Sequence, residues 1–355
     1  MNSIQELQKK KRRGKALILI LAVLVIAGTV CCLFVGSSNM TLADGIRGLL
    51  GKGTDAQNRI IRNIRLPRVL AAVIAGAGLS VAGLVMQTTL NNGMASPSTL
   101  GVSNAAVFGA NLSIIAFAGG FLSTGNNPLR FDAGANPYAT SVMAFLFAAA
   151  SVLLILGLCT IRSFSPNVVV LAGMAISAVW TAATTILQFY ATDVGLSAAV
   201  VWSFGDLGRA TYRTDLIMAV VVAAGIVFFG VMAWKYNALL SGEATARTMG
   251  VPVTGLRFAS LLLSSVITAV CVSFLGVIGF VGIICPHVTK KLLGQDHRFT
   301  IPVSCLMGSL LLLAADTFSR SMGGGTALPV GAITSLLGAP FFIAIIFSRK
   351  ESHKC

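Results

Sequence analysis

Four arginines, Arg59, Arg62, Arg65 and Arg68, recur at three-residue steps ahead of a long apolar run, and a fifth, Arg320, ends another such run far along the chain. A guanidinium presents a planar fork of N–H donors that pairs with carboxylates, so the set could receive an acidic partner. The same side chains could instead anchor helix ends, with stems along lipid and heads in water. Asp316 stands four residues before Arg320. That spacing makes them neighbours on one helix face, so an internal ion pair is a third reading.

The other reactive side chains show no catalytic or metal-binding arrangement. His287, His297 and His353 form no metal-ligand spacing, and His287 has no acidic or nucleophilic partner nearby in sequence. Cys31, Cys32, Cys159, Cys271, Cys285 and Cys305 lie in apolar runs, Cys355 ends the chain, and C-x-x-C is absent, which reads as packing. No Gly-x-x-x-x-Gly-Lys phosphate loop occurs, so if ATP drives this protein another chain binds it. We therefore expect no catalytic residue, metal or cofactor in this chain.

The elements that position these residues must sit in lipid. The 355 residues are 55% hydrophobic and 10% charged, with a mean hydropathy of +0.86, whereas soluble domains are about a quarter charged. A membrane helix needs roughly 20 mostly apolar residues. Segments 16–34, 70–90, 100–117, 139–158, 168–188, 216–233, 258–274, 277–293, 301–318 and 328–347 qualify, which gives about ten helices. The apolar runs are continuous, which excludes the alternation of a membrane barrel. The fold class is all-α and polytopic. A basic segment 1–15 precedes a single transmembrane domain 16–348, and 349–355 form a tail.

Basic residues flank cytoplasmic ends. Lys9, Lys10, Lys11, Arg12, Arg13 and Lys15 precede the first span, which is too long for a signal peptide and lacks its cleavage site. With alternating spans, the inner segments hold 16 basic and 4 acidic residues (+12) and the outer ones 10 and 7 (+3), which together give the formal +15. The basic excess thus orients the chain, with both termini cytoplasmic, and gives no reason to invoke nucleic acid. Asp316 is the one acid inside a span, close to its outer end. An ion-coupled secondary transporter, the rival class, would carry ionisable groups deep in its helices.

Three features between the spans remain. Cytoplasmic segment 239–257 has a helix-compatible stretch from Ser241 to Thr248, with Gly250 and Pro252 placed to end it. It could be a lever for a cytosolic motor or a solvated connection. Residues 91–104 put helix breakers at membrane depth, as do 274–287 with Gly276, Gly279, Gly282 and Pro286. Irregular backbone survives there only beside protein or a water-filled cavity. Asn92, Pro97 and Ser103 are therefore candidate pathway residues, against close helix packing by small residues as the competing reading.

The motifs IRLPRVLAAVIAGAGLSVAG (64–83), MASPSTLGVSNAA (94–106), SGEATARTMGV (241–251), GVIGFVGIICPH (276–287), DHRFTIP (296–302), ADTFSR (315–320) and LPVGAITSLLGAPFF (328–342) stand in this order. In this respect the chain resembles the FecCD-type permeases of iron-siderophore, haem and cobalamin importers, from about residue 40 to 348. The resemblance implies ten helices per subunit, a dimer with a second copy or a paralogue, two cytosolic ABC ATPases that bind the ATP, and an external substrate-binding protein. It implies that Arg65, Arg68 and Arg320 meet acids of the binding protein. Gly242, Glu243, Ala246 and Gly250 match its ATPase-coupling helix, and segment 201–213, with Trp202 and Gly205, matches its gate-side loop. It places the protein in a bacterial inner or plasma membrane, importing an iron-siderophore by alternating access, with haem or cobalamin as the alternative cargo. The chain departs from the pattern at Gly93, where a proline is usual, at Lys290 in place of an arginine, and at Ala327 in place of an acid.

Overall fold

The computed structural model describes residues 2–34, 42–117, 137–161, 165–322 and 327–348. The tail 349–355, with His353 and Cys355, lies outside them. The helices, in chain order, are α1 (Asn2–Phe34), α2 (Leu42–Leu50), α3 (Asp55–Arg59), α4 (Leu66–Thr89), α5 (Val102–Leu112), α6 (Pro137–Ile161), α7 (Pro166–Phe189), α8 (Asp193–Ser203), α9 (Tyr212–Val231), α10 (Ala233–Leu239), α11 (Glu243–Thr248), α12 (Val253–Leu275), α13 (Val281–Leu293), α14 (His297–Met322) and α15 (Val330–Ser348). No β-strand occurs among the described residues.

Seven helices among the described residues are long and apolar enough to cross a membrane alone, and Val102–Phe117, Asp193–Ser203 and Val330–Phe341 are shorter apolar segments. Each of the ten expected spans has a helix at its position. The expected span 277–293 is shorter than read, because Gly276–Phe280 is irregular and α13 starts at Val281. α8 is an additional helix between the expected spans 168–188 and 216–233.

α4 is the axis of the bundle. It is apolar on all sides, and α14, α12, α13, α9 and α1 pack around it. Nearly every side chain from Pro67 to Thr89 is buried. Small residues allow this crowding. A Cβ on Gly83 would lie 1.9 Å from the Gly282 carbonyl oxygen on α13, and one on Gly76 would lie 2.4 Å from that of Gly308 on α14. Ser80 on the same face donates to the Ser304 carbonyl at 2.7 Å. Without a hydrophobic force between helices in lipid, such backbone approach is what holds them together.

The entry to α4 is built locally. Thr54 and Gln57 form a reciprocal capping box at the start of α3. A π-helical turn, Ile60–Arg65, joins α3 to α4. Insertions of this kind re-aim side chains, and this one carries Arg62 and Arg65.

Candidate functional site

Arg65, Arg68 and Arg320 converge at one end of the bundle, but they are buried, each less than a tenth exposed. Arg65 Nη1 donates to the Leu33 carbonyl at 2.9 Å and the Phe34 carbonyl at 3.1 Å, and Arg320 Nη2 to the Cys32 carbonyl at 2.9 Å. These are last-turn carbonyls of α1, which have no partner within their own helix. The arginines complement them and the negative end of the helix. Arg68 Nε donates to Asp316 Oδ1 at 2.6 Å. Arg320 Nε sits 3.0 Å from Asp316 Oδ2, an ion pair whose atoms are out of line for a hydrogen bond. Asp206 Oδ1 stands 3.7 Å from Arg68 Nη2, and its own side chain is half-exposed. Arg68 and Arg320 thus share one buried carboxylate, Arg68 also approaches one at the surface, and Arg65 is met by the α1 carbonyls. In this structure these arginines form an internal network that joins the ends of α1, α4 and α14. For Arg68 and Arg320 the geometry displays the internal ion pair with Asp316.

The opposite end of α4 is held by cations too. Three consecutive residues of its last turn go to three different helices. Gln87 Oε1 accepts from Lys290 Nζ of α13 at 3.0 Å, Thr88 Oγ1 lies 2.8 Å from His297 Nε2 of α14, and the Thr89 carbonyl accepts from Arg257 Nε of α12 at 3.0 Å. Lys290 thus supplies a single-point donor where the motif usually has a planar fork. His297 also meets Asn237 Oδ1, through its backbone N–H at 2.8 Å and its ring at 3.0 Å.

α11 lies at this end; it stops at Thr248 as expected and starts at Glu243, two residues after Ser241. Gly242, with φ +103, is its N-cap. Gly250, with φ +79, donates to the Arg247 carbonyl at 3.0 Å, and Val251 donates to the Ala246 carbonyl at 3.0 Å. That is a Schellman ending, with the buried Ala246 and Val251 forming its apolar contact. Glu243 accepts from Arg247 at 2.8 Å and from Arg257 Nη2 at 3.3 Å. The Arg247 hydrogen bond, with Arg257 adding to it, holds the Glu243 carboxyl below its ordinary 4.5. Arg257 therefore bridges α11 to the end of α4. Sequence reasoning missed this residue, because fourteen positions separate Glu243 from Arg257 and no helical periodicity links them.

Trp202 and Gly205 lie at the arginine end, where three chain segments cross. Gly205 has φ +72, and a Cβ there would lie 2.2 Å from the Val277 carbonyl oxygen. Its own carbonyl accepts from Val330 N at 3.0 Å, and Asp206 N donates to Leu275 O at 2.7 Å. The end of α8, the α12–α13 turn and the start of α15 are thereby joined. Arg209 donates to the Trp202 and Val201 carbonyls, both at 2.9 Å, and stacks over the Trp202 ring at 5.6 Å. Burial lowers the pKa of Arg209 from its ordinary value.

The breaker stretch 91–101 folds as a compact turn at the α11 end. The Asn92 carboxamide oxygen accepts from Met94 N at 2.9 Å. Pro97 opens a 3-10 turn capped by Ser96 and Thr99, and Ser103 is buried in the first turn of α5. The turn rests on α7, where a Cβ on Gly173 would lie 2.7 Å from the Thr99 carbonyl oxygen. Gly93 and Ala327 are exposed, so neither departure disturbs the packing.

Residues 21–348 match the FecCD transport family. The chain belongs to that family. Its FecCD relatives include the hemin transport system permease protein HmuU of Yersinia pestis, 34% identical over 90% of this chain and 93% of that one. The cobalamin import system permease protein BtuC of Halobacterium salinarum is 35% identical over 82% and 74%. A solved metal-chelate type ABC transporter in an inward-facing conformation superposes with a TM-score of 0.80 at 26% identity, covering 94% of this chain and 99% of that one. This FecCD protein is a multi-span membrane permease of the ABC transporter class.

Proposed function

We propose that the chain is the membrane subunit of an importer for ferric chelates, with an iron-siderophore as cargo. Membership of the FecCD family supports the class. The cargo reading rests on relatives named for hemin, Fe(3+)-citrate and cobalamin import, of which two carry iron. In this reading two copies, or this chain and a paralogue, enclose the path. The exposed apolar faces of α7 (Leu171, Met174, Val179, Ile186) and α15 (Leu336, Leu337, Ile343) suit a second subunit and lipid. The basic segment before the first span supports cytoplasmic termini. That puts α11 inside, against a separate ATPase, and the arginine end outside, facing a binding protein.

The single observation that carries the mechanism is the bridge from α11 through Glu243 and Arg257 to the Thr89 carbonyl. α4, 24 residues long and so about 36 Å, is a buried rod pinned by cations at both ends. A motor that displaces α11 moves the inner end of α4. The arginine network at its outer end shares Asp206 with the junction around Gly205, where the outer gate is proposed. Such a permease works by differential contact with its partners in two states and needs no catalytic group.

Uptake assays with labelled ferric siderophore, haem and cobalamin in cells lacking this gene and any redundant system test the cargo. The expected result is loss of ferric-siderophore uptake alone. Unchanged siderophore uptake with loss of haem or cobalamin uptake would overturn the siderophore assignment and leave the permease class standing.

A further inference from the structure

The short helix α2 is inverted relative to ordinary amphipathic packing. Leu42, Ile46, Leu49 and Leu50 fall at i, i+4, i+7 and i+8, a single apolar stripe that in a soluble protein would face the core. Here the side against the protein is made by glycines. A Cβ on Gly45 would lie 2.3 Å from the Phe34 ring of α1, and one on Gly48 would lie 3.1 Å from both the Gln57 carbonyl oxygen and Ile61. Ile46, Leu49 and Leu50 point outward, Leu50 being 61% exposed. Ile64 on the π-helical turn extends the patch, and Ile26 and Val30 on the outer face of the membrane-spanning α1 lead up to it. Arg47, Lys52 and Arg59 flank it and are exposed.

We propose that α2 is an interfacial helix, seated in the bilayer leaflet at the arginine end. Its leucine–isoleucine stripe enters the acyl layer, and Arg47, Lys52 and Arg59 reach the phospholipid phosphates. The continuity of the stripe with the lipid-facing side of α1 identifies the occupant, and cations beside an apolar stripe are what the headgroup boundary selects. The seat bears on the network beneath it. Arg62 donates to the Leu49 carbonyl through Nε at 3.1 Å and Nη2 at 2.9 Å, while the Tyr212 hydroxyl donates to the Arg62 carbonyl. Lipid that holds α2 in place thereby holds the turn that presents Arg65. The inference depends on the membrane spans and not on the cargo.

Single tryptophans placed by Leu50→Trp and, as an off-stripe control, Asp55→Trp at an exposed position, in a background with Trp180, Trp202 and Trp234 changed to Phe, test it in the full-length protein in lipid nanodiscs. Elution volume and thermal midpoint must match the parent. In nanodiscs of acyl-brominated phosphatidylcholine the tryptophan at 50 should emit at least about twofold less than in unbrominated lipid and resist aqueous acrylamide. The tryptophan at 55 should show the reverse. Acrylamide quenching at 50 without bromine quenching would overturn the proposal in favour of a water-covered face. Protection at 50 from both quenchers would overturn it in favour of a face covered by protein.

Discussion

Asp316 is the residue on which the arginine end depends. It is fully buried, and the Arg68 and Arg320 guanidinium groups lie 2.6 Å and 3.0 Å from its two oxygens. Removing one partner of a buried ion pair costs about 3–5 kcal/mol, because the charge left behind has no water to solvate it. Asp316→Asn should therefore lower the thermal unfolding midpoint of the detergent-solubilised protein sharply, whereas Asp55→Asn, at an exposed position of the same end, should leave it nearly unchanged. Equal, small shifts would contradict the network. Glu243 makes a different prediction. Its carboxyl is held below 4.5 by Arg247, with Arg257 adding to it. The group is thus ionised, and the bridge intact, at neutral pH, and the bridge is lost only as pH falls through that depressed value. The cargo moved per ATP in the assembled transporter should stay constant from neutral pH to about 5, above the ordinary 4.5, and should fall at neutral pH in Glu243→Gln and Arg257→Gln. The double variant should be no worse than either single one, the signature of a shared interaction. Additive losses would place the two residues in separate roles. The sequence displayed the Asp316–Arg320 pair through its spacing of four. It could not show that Arg68, 248 positions away, is the nearer partner, nor that the α1 carbonyls take up Arg65 and the rest of Arg320, because such contacts are products of topology.

At the scale of elements, α4 was legible as a span and hidden as an axis. An apolar run reveals that a helix is buried in something, but only the glycine contacts show that the something is protein. Gly83→Leu pushes a side chain into the backbone of α13, where even a Cβ would come within 1.9 Å of the Gly282 carbonyl oxygen. Overpacking costs about 1–3 kcal/mol or more, so this variant should show a lowered thermal midpoint and reduced membrane expression. Gly93→Leu, at a site with nothing within 4 Å of an added Cβ, should behave as the parent. α11 was legible because its end signals are local: Gly250 in the left-handed region closes a Schellman motif. Gly250→Val should cost about 1–2 kcal/mol locally, seen as faster amide exchange over residues 243–251. α2 and α8 leave no span signal in the hydropathy, since nine and eleven residues are too few to cross a membrane. The period of Leu42, Ile46, Leu49 and Leu50 was the signal for α2 that a search for long apolar runs does not register.

Over the whole molecule, composition dictates a polytopic helical protein, and the family match agrees. The distribution of cations adds what composition cannot. Buried arginines close one end of the central helix, and Lys290 and Arg257 close the other, so that helix links the two ends of the bundle with no charged residue at its middle. This differs from an ion-coupled carrier, whose ionisable groups sit at the midplane. In the proposed reading a separate motor acts through α11, which suits a sequence without a phosphate loop. The most direct test is transport by proteoliposomes that contain this chain and its cognate ATPase, with the binding protein loaded with ferric siderophore. Accumulation of labelled iron should require the ATPase and hydrolysable ATP, and should persist when proton and sodium gradients are collapsed. Accumulation driven by an ion gradient with no ATPase present would contradict the account.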